Sequence, residues 1–390
     1  MKILLFTDMP PCENYTAGIV LHKLCKFLIE DGHKICCYYV KADGIDPLIN
    51  TDLTSSIVFS SDNMPIEDWG HKKYGPISSF LMNNFSAIFI FPVITKKIIK
   101  FALKNNVQMI WGVIQGHMTI RVLRRLTALT RLPYVVQAWD PSEWWLNEYK
   151  FDAISKFLIM RSYSFLLKKS NTFIASSWAM SKAYSKKYNV RSVPVLPGID
   201  EGQIIKKISD SKLFTISFAG QMYASEEIIC FLNAVEQVIC DIQIKIIIYG
   251  KDTQLDLSKF PFVETKGWLN QEELIYELSA ADLLYCPYRF DKSFKKIAMF
   301  SFPSKLTCYL KSGIPVLFHG PDYSSPGDFL KKYNAGYIFN SLNVQKLAAF
   351  LKFIINDSNR NIIANNGYIA FNENLTMTIM KRNFFDALNL

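Results

Sequence analysis

One alternation constrains this chain more than anything else in it: a short continuous apolar run, a turn, then a segment whose apolar residues recur at helical spacing. Residues Lys2 to Thr7 are almost uniformly apolar, which is how a strand reads when both of its faces are buried in a parallel sheet. From Thr16, which can cap a helix, Ile19, Val20, Leu24, Phe27 and Leu28 follow a helical period until Gly32 stops it,. Lys34 to Val40 then begins the next strand, completing one βαβ unit.

The same theme predicts first-half strands at 57–60, 108–114, 134–139, 172–175 and 193–196, with helices across 95–104, 118–130, 154–168 and 178–188. A second series begins after Pro197-Gly198-Ile199-Asp200, which reads as a hinge followed by a polar stretch to Lys212. Its strands are expected at 214–219, 245–249, 262–265, 282–286, 314–318 and 336–339. Strands alternating with helices imply parallel sheets joined by right-handed crossovers. The fold class is therefore α/β, with two Rossmann-like doubly wound domains, 1–200 and 201–373. Ligands of such sheets bind beyond the carboxyl ends of the strands. The last helical segment, near Met377–Leu388, is too short and amphipathic to stand alone and must pack on another element.

Composition narrows the class. Half of the 390 residues are hydrophobic and 20% are charged, which excludes a disordered chain,. The net charge of +10 is concentrated in short clusters: Lys96, Lys97, Lys100 and Lys104; Arg121, Arg124 and Arg125; Lys168 and Lys169; Lys186 and Lys187. A basic half attracts phosphate-bearing ligands or anionic lipid, and it is equally what solvated helix faces look like. No stacking or groove-reading module accompanies the charge, so nucleic acid is not an expected partner. The eight cysteines form no Cys-x-x-Cys pair, so they read as reduced, buried small residues, and no metal site is expected. The apolar start is too short for a signal peptide. The stretch Phe85–Ile94 falls far short of the ~20 apolar residues that cross a bilayer. These features give a cytoplasmic expectation. The aromatic and basic segment from Tyr74 to Lys104 could lie on an anionic bilayer, or be core helix with a solvated basic end.

Several loops carry residues suited to a phosphorylated ligand. Thr16 and Gly18 lie between the first strand and the first helix, where backbone can approach an anion. Gly220 and Gln221 close the first strand of the second half, and Gly250 closes the next. Ser304 and Lys305, followed by Leu306 and Cys308, open a helix whose amides, hydroxyl and ammonium could together hold a diphosphate. Arg289 stands in the long loop before it.

Taken in order, Met1–Asp8 with Tyr15–Val20, Pro197–Asp200, Ser217–Gly220, Ile246–Gly250, Gly267–Leu269, Ala281–Tyr288 and Ser304–Val316 resemble the GT-B glycosyltransferases of the large family-4-like group, often found in bacterial surface-polysaccharide synthesis. The resemblance covers most of the chain and implies two Rossmann-like domains facing a central cleft. A nucleotide sugar would be held mainly by the second domain and an acceptor by the first, with a C-terminal helix, 374–390, crossing back to complete the first. It implies no metal cofactor, a loop at Trp268 and Leu269 against the nucleotide base, retention of anomeric configuration, and a saccharide or lipid-linked saccharide acceptor.

The departures are specific. Where the family carries Arg and then Lys after the glycine matching Gly220, this chain has Gln221 and Glu226. The family's two glutamates would fall near Phe300 and Cys308, and its His-Asp is Trp139-Asp140. Lys305 with Arg289 is the expected replacement for the missing cations. His117, after the strand ending at Ile114, and Asp140 are the candidates for orienting the sugar or the incoming hydroxyl. Trp139, Glu143 and Trp144 would bind acceptor sugar by stacking and hydrogen bonding, unless they are a Trp-rich packing corner. The alternatives are a catalytically degenerate scaffold of the same fold, which the lost residues favour, and a GT-B nucleotide-sugar isomerase.

Overall fold

The computed structural model describes residues 1–42, 46–64, 74–202, 213–250 and 255–390. Most of the polar stretch expected up to Lys212 lies outside them. The chain divides into two compact units, Met1–Val195 with Lys381–Leu390, and Leu196–Met380.

In the first unit the strands are β1 (Lys2–Thr7), β2 (Lys34–Ala42), β3 (Ile57–Met64), β4 (Met109–Ile114), β5 (Tyr134–Ala138), β6 (Thr172–Ala175) and β7 (Ser192–Pro194). They form one sheet in the order β3-β2-β1-β4-β5-β6-β7, parallel throughout. The interior strand β1 is buried on both faces, as its unbroken apolar run requires: Ile3, Leu4, Leu5 and Phe6 have no exposure,. The part of the C-terminal helix Met377–Leu388 from Lys381 onward belongs to this unit and packs here. Phe384 lies 4.8 Å from the buried Trp111 ring, and Arg191 pairs with Asp386 at 2.7 Å.

The second unit holds β8 (Phe214–Ala219), β9 (Ile244–Tyr249), β10 (Val263–Thr265), β11 (Leu283–Pro287), β12 (Val316–His319) and β13 (Tyr337–Phe339). Their order, β10-β9-β8-β11-β12-β13, is again parallel throughout. Its core is built around Phe231 and Tyr285, stacked 3.8 Å apart between a helix and the sheet. The expected hinge is tied down within this unit: Ile199 bridges to Thr376.

Three local expectations are corrected. Thr16 does not cap the first helix; Tyr15 occupies the cap position and Thr16 is the first helical residue. Cys240 is exposed, while the other seven cysteines are buried and none is paired. The helix expected from Thr95 begins much earlier. It runs over Pro76–Lys104 as an α-helix (Pro76–Phe85), a π turn (Ser86–Ile90) and a second α-helix (Phe91–Lys104). Pro92 lacks the N–H that an α-helix needs, and the π turn just before it, with Phe91 N–H donating to Ser86 O, carries the chain past it,. With 29 residues and a mean hydropathy of 1.7 in its most apolar window, this helix is long and apolar enough to cross a membrane, which the shorter run read from sequence was not.

Candidate functional site

The carboxyl ends of β8, β9 and β10 are closed by glycines that pack backbone on backbone. Gly220 has φ +106°, a conformation open to glycine at little cost, and its N–H donates to Tyr249 O at 2.8 Å. Gly250 N–H donates to Gly267 O at 2.7 Å. A Cβ on Gly250 would stand 2.7 Å from Gly220 O, so only glycine lets these two turns touch. The result is a platform of close backbone turns at the strand ends.

Lys305 reaches this platform. It sits in the first turn of the helix Ser304–Ser312, and its terminal atoms come within 3.9 Å of where a Gly220 Cβ would be. Its Nζ is buried and has no hydrogen-bond partner, although part of the residue remains accessible. The ammonium lies 4.6 Å from the centre of the Phe218 ring and 5.0 Å from that of Tyr223. Burial holds its pKa below the usual lysine value, with the nearby Cys286 thiol acting weakly in the opposite sense. Cation–π attraction offsets only part of the cost of an unpaired buried charge. The helix start adds to the same field: Pro303 occupies the N-cap and no side chain caps the first turn, leaving the positive end of the helix for an anion. In the same unit the hydroxyls of Ser217 and Thr307 are buried without partners.

The remaining second-unit candidates divide. Gln221 is exposed beside Gly220, and Ser304 is exposed at the helix start. Trp268 is 66% exposed. Leu269 lines a pocket of about 370 Å³ with Tyr249, Lys266, Glu273, Tyr276 and Glu277. Leu306 is fully buried, its N–H held by Pro303 O, so its side chain serves the core rather than a ligand. Cys308 is buried against Gln271. Arg289 is not the free cation expected of it: its Nε pairs with Asp291 at 2.7 Å and its guanidinium lies over Phe294. That pairing holds the loop after β11 together, so of the two cations expected at the site Lys305 alone is without a carboxylate partner.

Sequence reasoning missed Glu227. It is buried in the first turn of the helix Ser225–Val238 and accepts from Phe290 N–H at 2.8 Å. Burial pushes its carboxyl above the usual range. Beside it, Tyr285 O–H donates to Glu227 O and lies 2.9 Å from His319 Nδ1, while His319 Nε2 contacts Ser341 O. Both ring nitrogens of His319 are thus engaged within the unit. Tyr223, Ser217 and Thr307 were also missed; only Thr307, two residues after Lys305 at the same helix start, had a local signal.

In the first unit, two expectations change. A Cβ on Gly18 would fall 2.1 Å from Cys12 Sγ and 3.0 Å from Pro10 O. The space above the first helix is therefore filled by the chain's own loop, and Gly18 is there for that contact. His117 is buried rather than placed at an accessible strand edge. Its ring lies between Phe91 and Phe151, with centroids at 5.1 and 5.5 Å, and neither nitrogen has a partner. Burial pulls its pKa to about 3, keeping it neutral. Trp139 and Asp140 follow β5, where Trp139 O accepts from Ser176 Oγ; both are half-buried, as is Trp144. Glu143 is ion-paired to Lys187 at 3.0 Å.

No protein-family profile matches this chain, and no curated protein matches it in sequence. Solved structures do match over its whole length. Sucrose-phosphate synthase from Thermosynechococcus elongatus superposes with a TM-score of 0.72 at 12% identity, covering 100% of this chain and 98% of that one. Anabaena HepE in complex with UDP gives 0.68 at 14% identity, with both chains fully covered. WaaG, a glycosyltransferase involved in lipopolysaccharide biosynthesis, gives 0.60 at 13% identity over 99% of each chain. The class defined by two such sheets and these neighbours is GT-B. The chain has the two-domain GT-B fold of glycosyltransferases.

Proposed function

We propose that this chain is a glycosyltransferase that moves a sugar from a nucleoside diphosphate sugar to a saccharide or lipid-linked saccharide acceptor in polysaccharide or glycan synthesis. The observation that carries the reading is Lys305: a buried ammonium without a partner, at an uncapped helix start, against a glycine platform at the strand ends. A diphosphate supplies the missing counter-charge. HepE has been solved with UDP and with UDP-glucose, so a uridine donor is the first to try.

Transfer places developing charge on the leaving diphosphate, and donors already positioned for that charge stabilise the transition state most. Lys305 Nζ would meet it, with the amides of the Ser304–Ser312 helix start. Gly220 and Gly250 would let the diphosphate approach the backbone, and the pocket at Leu269 would take part of the nucleoside. Asp140, Trp139, Glu143 and Trp144 remain the acceptor-side candidates. The neutral, buried His117 is assigned to the core. Retention of configuration and work in the cytoplasm at a membrane face are part of this reading.

The test is a thermal-shift panel of nucleoside diphosphates followed by a diphosphate-release assay with acceptor. Selective stabilisation by one diphosphate, and its release only when acceptor is present, is expected. Indifference to every nucleotide would overturn the reading, and binding without release would point to a degenerate scaffold.

A further inference from the structure

Up to Val93 the helix Pro76–Lys104 is amphipathic the wrong way round for water, whereas its second half buries Phe91, Ile94 and Ile98 in the ordinary way. Along its first half it buries Ser79, Asn83 and Ser86, and it exposes Ile77, Leu81, Phe85, Ile88, Phe89 and Val93. Ile77 is 74% exposed. A helix that turns polar groups inward and large apolar groups outward faces something other than water. After Val93 the outward residues are mostly basic, Lys96, Lys97, Lys100 and Lys104 with Leu103 among them, and Lys97 is ion-paired to Asp62.

Two neighbouring helices extend this face. Arg125 donates to Ala87 O at 2.9 Å, and Asn84 to Ser155 Oγ at 3.5 Å, which joins the helices His117–Thr130 and Ala153–Lys169 to the first. The last of these exposes Ile154, Phe157 and Phe165 at helical spacing. Between the two lies a pocket of about 200 Å³ lined by Arg121, Arg124, Arg125, Arg161, Leu158 and Ser162.

Among the described residues none of these four guanidiniums is ion-paired to a carboxylate, and Arg121 Nε and Nη2 are buried without partners. Asp152, which caps the neighbouring helix, is the one carboxylate acting on Arg121, while Arg125 and Arg124 oppose it. Four guanidiniums held together against their mutual repulsion make a phosphate-sized cation site.

We propose that this face of the first unit docks on an anionic phospholipid bilayer, with a lipid phosphate in the four-arginine pocket and the outward apolar residues of Pro76–Lys104 and Ala153–Lys169 among the acyl chains. Charge chooses the occupant: a neutral bilayer or an uncharged protein groove would satisfy the apolar stripe but leave the four guanidiniums without counter-charge. A soluble phosphate would satisfy the arginines but not the stripe. The inference deepens the membrane-face part of the proposed function, but the face lies wholly in the first unit, so it can fail while the donor site stands.

The experiment is flotation of the full chain with phosphatidylcholine vesicles and with phosphatidylcholine vesicles that also contain phosphatidylglycerol, whose charge makes the surface negative. Binding to the anionic vesicles alone, weakening as salt is raised, is expected. Arg124→Gln with Arg161→Gln should weaken binding by about 25-fold, roughly fivefold for each surface cation lost. Ile88→Ser with Phe89→Ser should abolish flotation, and each variant should keep the wild-type melting temperature. Equal binding to neutral vesicles, no flotation, or flotation indifferent to the arginine pair would overturn the proposal. So would saturable binding of inorganic phosphate to a protein that ignores both vesicles.

Discussion

Replacing Lys305 with methionine should move ligand affinity and ligand-free stability in opposite directions. The two side chains are of similar length, so the thioether would still fill the space between Phe218 and Tyr223. The cation–π attraction lost, about 0.5–2 kcal/mol, is largely matched by sulfur–aromatic contact of about 0.3–1.5 kcal/mol. What remains is relief of a buried, unpartnered charge, which should raise stability by about 1 kcal/mol. Binding should suffer, because a hydrogen bond to a charged group contributes about 1.5–3 kcal/mol, a loss of roughly 10- to 150-fold in affinity. Urea unfolding followed by tryptophan fluorescence reads the first quantity, and titration calorimetry with UDP, or with whichever diphosphate the panel selects, reads the second. Lower stability together with unchanged affinity would show that the ammonium serves the fold alone, and the reasoning about Lys305 would fall.

Three further outcomes follow from the geometry. Gly250→Ala should cost about 1–3 kcal/mol in second-unit stability and weaken nucleotide binding, because its methyl would press on Gly220 O,; an unchanged melting curve and affinity would contradict the packed platform. His117 has a folded pKa of about 3 against an ordinary value of 6.5, so the unfolded chain binds the extra proton between those values and stability rises with pH across that window. Lowering the pH from 7 to 5 should therefore cost about 2 kcal/mol through His117. His117→Phe should flatten that part of the profile while leaving transfer activity within about twofold, and activity lost with the fold intact would restore a direct role for the histidine. Arg289→Gln should change nucleotide affinity by less than about threefold, since its guanidinium is held by Asp291 rather than kept for a ligand,; a tenfold loss measured by calorimetry would return it to the site.

The sheets were legible because each strand is a continuous apolar run between turn residues, and burial on both faces leaves little else such a run can be. The place of Lys305 in the first turn of a helix was legible for a local reason: Pro303-Ser304-Lys305 announces a helix start. What the sequence hid depended on distant partners. The burial of His117 requires Phe91 and Phe151, which come from other segments, and Gly18 was misread because the Cys12 sulfur above it is a tertiary contact. Arg289 looked free because an ion pair two residues away depends on loop conformation rather than spacing. The helix Pro76–Lys104 shows a deeper limit. Apolar periodicity says that a helix has an apolar face, but not that the face points inward, and here much of it points out. Pro92 further hid its length, since the π turn before it does not follow the helical period.

The central claim is that the strand ends of the second unit, with Lys305, form a diphosphate site. A crystal structure of the chain soaked with UDP, or with the diphosphate that stabilises it best, tests this most directly. Phosphate oxygens should lie about 3 Å from Lys305 Nζ and from the first amides of the Ser304–Ser312 helix, beside Gly220. A nucleotide bound away from these groups, with the ammonium still unpartnered, would contradict it.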